Sequence, residues 1–284
     1  MTPRTDEGDP IIMASSTVLC VAAVLAAALP QAAAINVPVG NMALRGGAFT
    51  RKTFNLGSAL QDHLSVMKSI PKIFDSYAGP NKLDAQVSES IMLTMNSVNA
   101  CPFCTSLHGE LGRMAGLEGK AAQLNSAKDG SALKKISKDP EVAYARKFAE
   151  HNGRGPELAG EYVALVKAVG PGKAAAVNAQ CWFLHWGSLC GNTLLSFWKG
   201  RLRNDCKCGS NPLFEVVFAL YYTPCYLAID LTSRLLKLFP AKVPKAVSSG
   251  IGCILTTVAS IWVVPVGLLG LVTAPLRKTI IPIK

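Results

Sequence analysis

Charge is scarce in this sequence. Charged residues make up 17% of the 284-residue chain, against about 25% in an ordinary soluble domain. Half of the residues (50%) are apolar. That combination excludes an intrinsically disordered chain, which has too little to bury. Cysteine is thin for the length: nine residues, an odd number, scattered along the chain. This excludes the disulfide-dense framework of small secreted domains. No fixed-period repeat is present, so a solenoid or propeller is excluded. No run of alternating apolar and polar residues reads as a strand, so the class is all-α.

The charge that is present is unevenly placed. The net charge is +11. Residues 201–284 carry ten basic and three acidic groups (+7), and residues 1–200 carry 19 and 15 (+4). A nucleic-acid binder puts its basic surplus on a folded domain with recognition elements. Here the surplus flanks the most apolar stretches, which favours a membrane surface and no nucleic-acid partner.

The two longest uncharged stretches lie toward the two ends of the chain. Within the first, residues 10–44, an apolar Ala-rich run is followed by Ala32, Ala33 and Ala34. Residues 1–34 therefore read as a targeting or signal segment cleaved near Ala34, with an uncleaved anchor as the alternative. The second, residues 246–276, is 31 residues long between Lys245 and Arg277. It is the strongest membrane-span candidate, with a kink expected at Pro265. Residues 216–229 form a shorter apolar run between Glu215 and Asp230. It suits a tilted membrane helix, an interfacial helix or a core helix. The expected organisation is a targeting segment (1–34), a helical domain (45–203), and a linker with a hydrophobic membrane-associated tail (204–284).

Helical spacing recurs within the central part, in Leu60, Leu64 and Met67, in Val87, Ile91 and Met95, and in Leu107, Leu111 and Met114. Breaks are expected where Gly and Pro fall, at Gly79-Pro80, Gly116, Asp139-Pro140, Gly153 to Pro156 and Gly170-Pro171.

The stretch that carries chemistry is Cys101-Pro102-Phe103-Cys104 with His108. Pro102 suits the first position of a helix, where its missing N–H costs nothing. Cys101 is then the cap and Cys104 lies in the first turn. Free N–H groups and the helix dipole are expected there to lower the thiol pKa and favour the thiolate. His108 is one turn further on the same face, so a proton carrier can sit beside the sulfur. Glu89, on the preceding helix, can fold back to orient that imidazole. Haem attachment requires His directly after the second Cys, and Thr105 stands there. Zinc would accept Cys101, Cys104 and His108, although no second Cys/His pair follows at finger spacing. A glutaredoxin-type pair follows a β-strand, whereas this one follows a helix-period segment. A chance pair on a core helix is the plain alternative.

Glu89, the Cys101-Pro102-Phe103-Cys104 pair, His108 and Ala115-Gly116-Leu117 together resemble the carboxymuconolactone decarboxylase-like family, most closely its alkyl hydroperoxidase D-like members. The pattern Glu-x11-Cys-x-x-Cys-x3-His is matched at every spacing. Phe103 stands where alkyl hydroperoxidase D carries His, and the decarboxylase branch generally lacks the cysteine pair. The resemblance implies an all-helical domain assembled into trimers or higher homo-oligomers. It also implies a thiol-dependent hydroperoxide reductase with no bound cofactor or metal. In that chemistry Cys104 attacks the hydroperoxide, Cys101 resolves the sulfenic acid as a disulfide, and Glu89 and His108 relay a proton. A thiol reductant, dihydrolipoyl or thioredoxin-like, is the implied partner. The alternative is a catalytically weak member acting as a membrane-assembly or scaffold subunit. A targeting segment beside a redox dithiol suits a membrane of an organelle, such as a plastid, or an exported location.

Other residues carry weaker signals. Cys181 and His185 share one face of a helix and read as a buried pair with a satisfied core histidine. Cys190 lies on the opposite face. Cys206 and Cys208 read as a solvated pair, because two cysteines one residue apart rarely bridge comfortably. Lys199, Arg201 and Arg203 read as a headgroup contact. His63 and His151 read as surface residues without partners.

Overall fold

The computed structural model describes residues 49–127, 129–204 and 210–275. The expected targeting segment and the Cys206/Cys208 pair lie outside the described residues. Every regular element among the described residues is helical.

Local signals start and stop these helices. Asn55 opens α1 (Leu56–Ala78): its side chain accepts from the Ser58 N–H at 2.8 Å, and Ser58 Oγ accepts from the Asn55 N–H at 3.0 Å. Two otherwise orphaned donors are satisfied by this reciprocal cap. Asp84 caps α2 (Ala85–Asn99) through the Gln86 N–H at 2.9 Å. Helix α2 ends on Ala100, held in the left-handed region at φ 56°, a conformation that costs a non-glycine residue about 1–2 kcal/mol. The chain thereby turns sharply into α3 (Pro102–Met114), with Pro102 in its first turn. The short helices α4 (Lys120–Ser126) and α5 (Gly130–Ile136) follow. Then come α6 (Pro140–Glu150), α7 (Pro156–Val169) and α8 (Pro171–Ser196), each opened by proline at one of the expected breaks.

Helix α8 is the axis of the domain. Residues 188–196 are all buried, as expected of a helix enclosed on every side. Helices α1, α2, α3, α6 and α7 pack around it. Residues 88–96 of α2 are likewise wholly buried, which places Glu89 inside the domain. A π-helical turn, Phe197–Leu202, leads away from α8.

The tail folds into α9 (Pro212–Leu236) and α10 (Lys245–Val272). At 25 and 28 residues, both are long and apolar enough to cross a membrane. They are also built into the domain. The principal buried core joins Phe218, Tyr222, Tyr226 and Val263 of the tail to Phe54, just before α1, and to Phe103, Trp186 and Leu194 of the preceding helices. Ser233 of α9 meets Ser106 of α3 at 2.6 Å, and the Val243 N–H donates to the Met114 carbonyl at 3.0 Å. Helix α10 runs antiparallel along α1 through small residues, with Gly252 against Tyr77 and Gly267 against Met67 and the His63 carbonyl. A Cβ at Gly267 would fall 2.9 Å from Met67, so only glycine admits this approach. The outer faces are strongly apolar: Leu213, Val217 and Leu220 of α9 and Ile254, Ile261 and Val272 of α10 are exposed.

Candidate active site

The sharp turn between α2 and α3 sets the two cysteines. Asn96 Oδ1 accepts from the Cys101 N–H at 3.0 Å, and Asn96 Nδ2 donates to Asn125 Oδ1 at 2.9 Å, so the cap is tied to α4. Cys101 is the N-cap of α3, and its sulfur accepts from the Cys104 N–H at 3.3 Å. The Cys104 thiol donates to Cys101 Sγ at 2.7 Å. Both cysteines are free and buried. Both stand at the helix start where the sequence placed them, and the structure brings their sulfurs into contact.

Glu89 and His108 also meet. His108 Nδ1 lies 2.9 Å from Glu89 Oε2, and both side chains are nearly buried. In the tautomer with the proton on Nδ1, His108 donates to Glu89 and its Nε2 keeps a lone pair that can accept. A carboxylate this enclosed requires such a partner. Cys104, His108 and Glu89 all line one cavity of about 390 Å³.

The electrostatics of Cys104 overturn the expectation from its helix position. Burial, with the contact to Cys101 next, pushes this thiol well above the usual cysteine value. The Ser188 hydroxyl, donating to Cys104 Sγ at 3.6 Å, acts in the opposite direction but is the weaker influence. The sequence shows the favourable dipole of the first turn; it does not show how far the surrounding helices remove water from it. Burial thus favours the protonated thiol over the thiolate.

Several contributors escaped sequence reasoning because they come from distant elements. Ser188 reaches the site from α8. Gly191, also of α8, allows the close approach: a Cβ there would fall 2.8 Å from Cys101 Sγ and 2.9 Å from the Tyr226 ring. Phe103 is clamped edge-on by Trp198 and Tyr226, with ring centroids 5.9 and 5.2 Å away. Tyr226 OH in turn donates to the Gly187 carbonyl. The only signal for Ser188 and Gly191 was their place in a helix with small residues along one face.

Four readings of outlying residues need correction. His63 is fully buried, not a surface residue. Its Nδ1 bonds the Ala59 carbonyl at 2.5 Å, Trp186 Nε1 donates to its Nε2 at 2.8 Å, and Tyr222 OH meets the same nitrogen. Burial pulls its pKa down to about 4, so the ring is neutral at pH 7. His151 has a partner, Glu157, at 3.2 Å. His185 is buried as expected but is not satisfied by hydrogen bonds; Nε2 stands 3.5 Å from Asp62, which Arg154 also pairs. Arg201 turns to Glu215 of α9 at 2.9 Å and to the Ser210 carbonyl at 3.0 Å, committing it to an internal ion pair in place of a headgroup. Among the described residues, no three His, Cys, Asp or Glu side chains are grouped to hold a metal ion.

No protein-family model, curated protein or solved structure matches the chain.

Proposed function

We propose that the protein is a membrane-associated, thiol-dependent hydroperoxide reductase of the alkyl hydroperoxidase D type. One observation carries the reading: Cys104, whose thiol contacts Cys101, lines a cavity that the Glu89–His108 pair also lines. The buried thiol needs a base, and the His108 imidazole in the same cavity offers a proton-accepting nitrogen.

The reaction runs in three balanced steps. His108 Nε2 takes the Cys104 proton while Glu89 stabilises the resulting imidazolium. The thiolate attacks the distal oxygen of ROOH; the O–O bond breaks, the proton returns to the departing alkoxide as ROH, and Cys104 becomes a sulfenic acid. Cys101 then attacks that sulfur, the S–S bond forms and water leaves. A dithiol reductant, dihydrolipoyl or thioredoxin-like, returns the pair to thiols and is itself oxidised to a disulfide.

Membrane association rests on the exposed apolar faces of α9 and α10. Helix α10 lies along α1, and α1 exposes Lys68 and Lys72. Spanning by α10 would draw those charges into hydrocarbon at a cost of several kcal/mol. The two tail helices therefore fit best lying in the interface with their outer faces immersed.

The test is peroxide consumption by the purified full-length chain in detergent, with dithiothreitol or dihydrolipoamide as donor. Turnover lost in Cys104→Ser is the expected result. If the wild-type chain consumes no peroxide, the reductase reading fails and an assembly role for the fold gains. Flotation with liposomes tests the membrane reading separately.

A further inference from the structure

We propose that the hydroperoxide carries a long apolar chain, an acyl hydroperoxide, whose tail lies in the chamber between α9 and α10. This rests on the reductase reading and assigns the substrate class at that site.

The chamber is polarised. Its chemical groups, Cys104, His108 and Glu89, come from α2 and α3, while Ile229, Leu236, Ile251, Leu255 and Val258 of the tail helices supply apolar wall. At about 390 Å³ it falls within the size of small-molecule sites, far more than hydrogen peroxide needs. Its mouth is also placed by the structure. Ile254 and Val258 line the cavity, yet are 64% and 42% exposed, so the chamber opens onto the apolar outer surface of α10. Part of the wall, from Leu107, Leu111, Phe183 and Trp186, belongs to the preceding helices; the rest, between Cys225 and Ala259, lies beyond the segment that carries the family pattern, so the tail of this chain enlarges the chamber.

Hydrogen peroxide gains nothing from such walls. Each methylene buried from water is worth about 0.8 kcal/mol, or roughly fourfold in kcat/KM per methylene, until the chamber is full.

The experiment uses the full-length chain in detergent with dithiothreitol. Initial rates are compared for hydrogen peroxide, tert-butyl hydroperoxide and fatty-acid hydroperoxides of increasing chain length, in wild type and in Leu255→Trp and Val258→Trp. In the same preparation, binding of the fluorescent fatty acid cis-parinaric acid is titrated. A rate that climbs with chain length in wild type and falls at least tenfold more for long chains than for hydrogen peroxide in the Trp variants supports the proposal. Equal rates for all peroxides, or a chain-length advantage that survives both Trp variants, overturn it while leaving the reductase reading intact. If no peroxide is consumed, the reductase reading fails, and the chamber proposal is judged by parinaric acid: binding lost in the Trp variants supports an acyl-chain site, and no binding in wild type overturns it. Phospholipid hydroperoxide in phosphatidylcholine vesicles, run beside the free acid, identifies whether the chain arrives from the bilayer or from solution.

Discussion

At Cys104 two influences oppose each other. The first turn of α3 offers a favourable dipole, worth about 0.3–1 kcal/mol at an exposed site. Burial withdraws the sulfur from water and wins, holding the thiol well above its ordinary value. The proposed reaction then needs a base, and His108, bonded to Glu89 at 2.9 Å, lines the same cavity. His108→Gln should slow single-turnover peroxide reduction by roughly 100-fold near pH 7. Its residual rate should rise about tenfold per pH unit while the thiol remains protonated, since hydroxide must then do the work. A variant as fast as wild type across that range would remove the relay. His63 makes a different prediction. Its folded pKa, about 4, lies below its unfolded value of 6.5. A lowered histidine pKa means that the unfolded chain binds the proton more readily, so its contribution is complete above pH 6.5 and is lost as pH falls toward 4. The difference of about 2.5 units corresponds to roughly 3 kcal/mol. Denaturant unfolding of wild type and His63→Gln in the same detergent should show the wild type losing more stability between pH 6.5 and 4.

At the scale of elements, the site depends on how closely α8 approaches α3. Gly191 makes that approach possible. Gly191→Ala would push its new methyl against Cys101 Sγ, the Tyr226 ring and Phe103 at 2.8, 2.9 and 3.2 Å. An enclosed site cannot yield freely, so a loss of about 1–3 kcal/mol is expected. Disulfide formation between Cys101 and Cys104 should also slow, because their contact is what shifts. Mass spectrometry after mild peroxide, following the loss of two hydrogens on the peptide holding both, measures it. An unchanged rate and melting temperature would mean that α8 moves aside at no cost.

At the scale of the whole molecule, the hydrophobic tail is part of the fold. Tyr222, Tyr226 and Phe218 belong to the same core as Phe103 and Trp186, and the Arg113 guanidinium bonds the Leu236 carbonyl at 2.9 Å. A chain ended after Arg203 would uncover Phe103, Gly191, Met67 and the faces beneath them. It is expected to aggregate or to bind a hydrophobic dye strongly, and to lose its cooperative melt. A soluble truncated chain with a sharp melt and low dye binding would show that the core before residue 204 stands alone.

Much of the architecture was legible from local signals. Prolines at 102, 140, 156 and 171 open helices because each supplies a fixed φ and lacks an N–H that has no partner there. The spacing of Glu89, Cys101, Cys104 and His108 was legible too, since helical periodicity alone aligns Cys104 with His108. What the sequence determined by itself was therefore helix placement, with Cys101 and Cys104 at one helix start and His108 one turn further on. Only the tertiary structure decided the protonation of Cys104, the burial of His63 and the use of α9 and α10 as chamber walls. Each of these depends on which distant surfaces exclude water, and that is a property of packing between elements rather than of any local pattern.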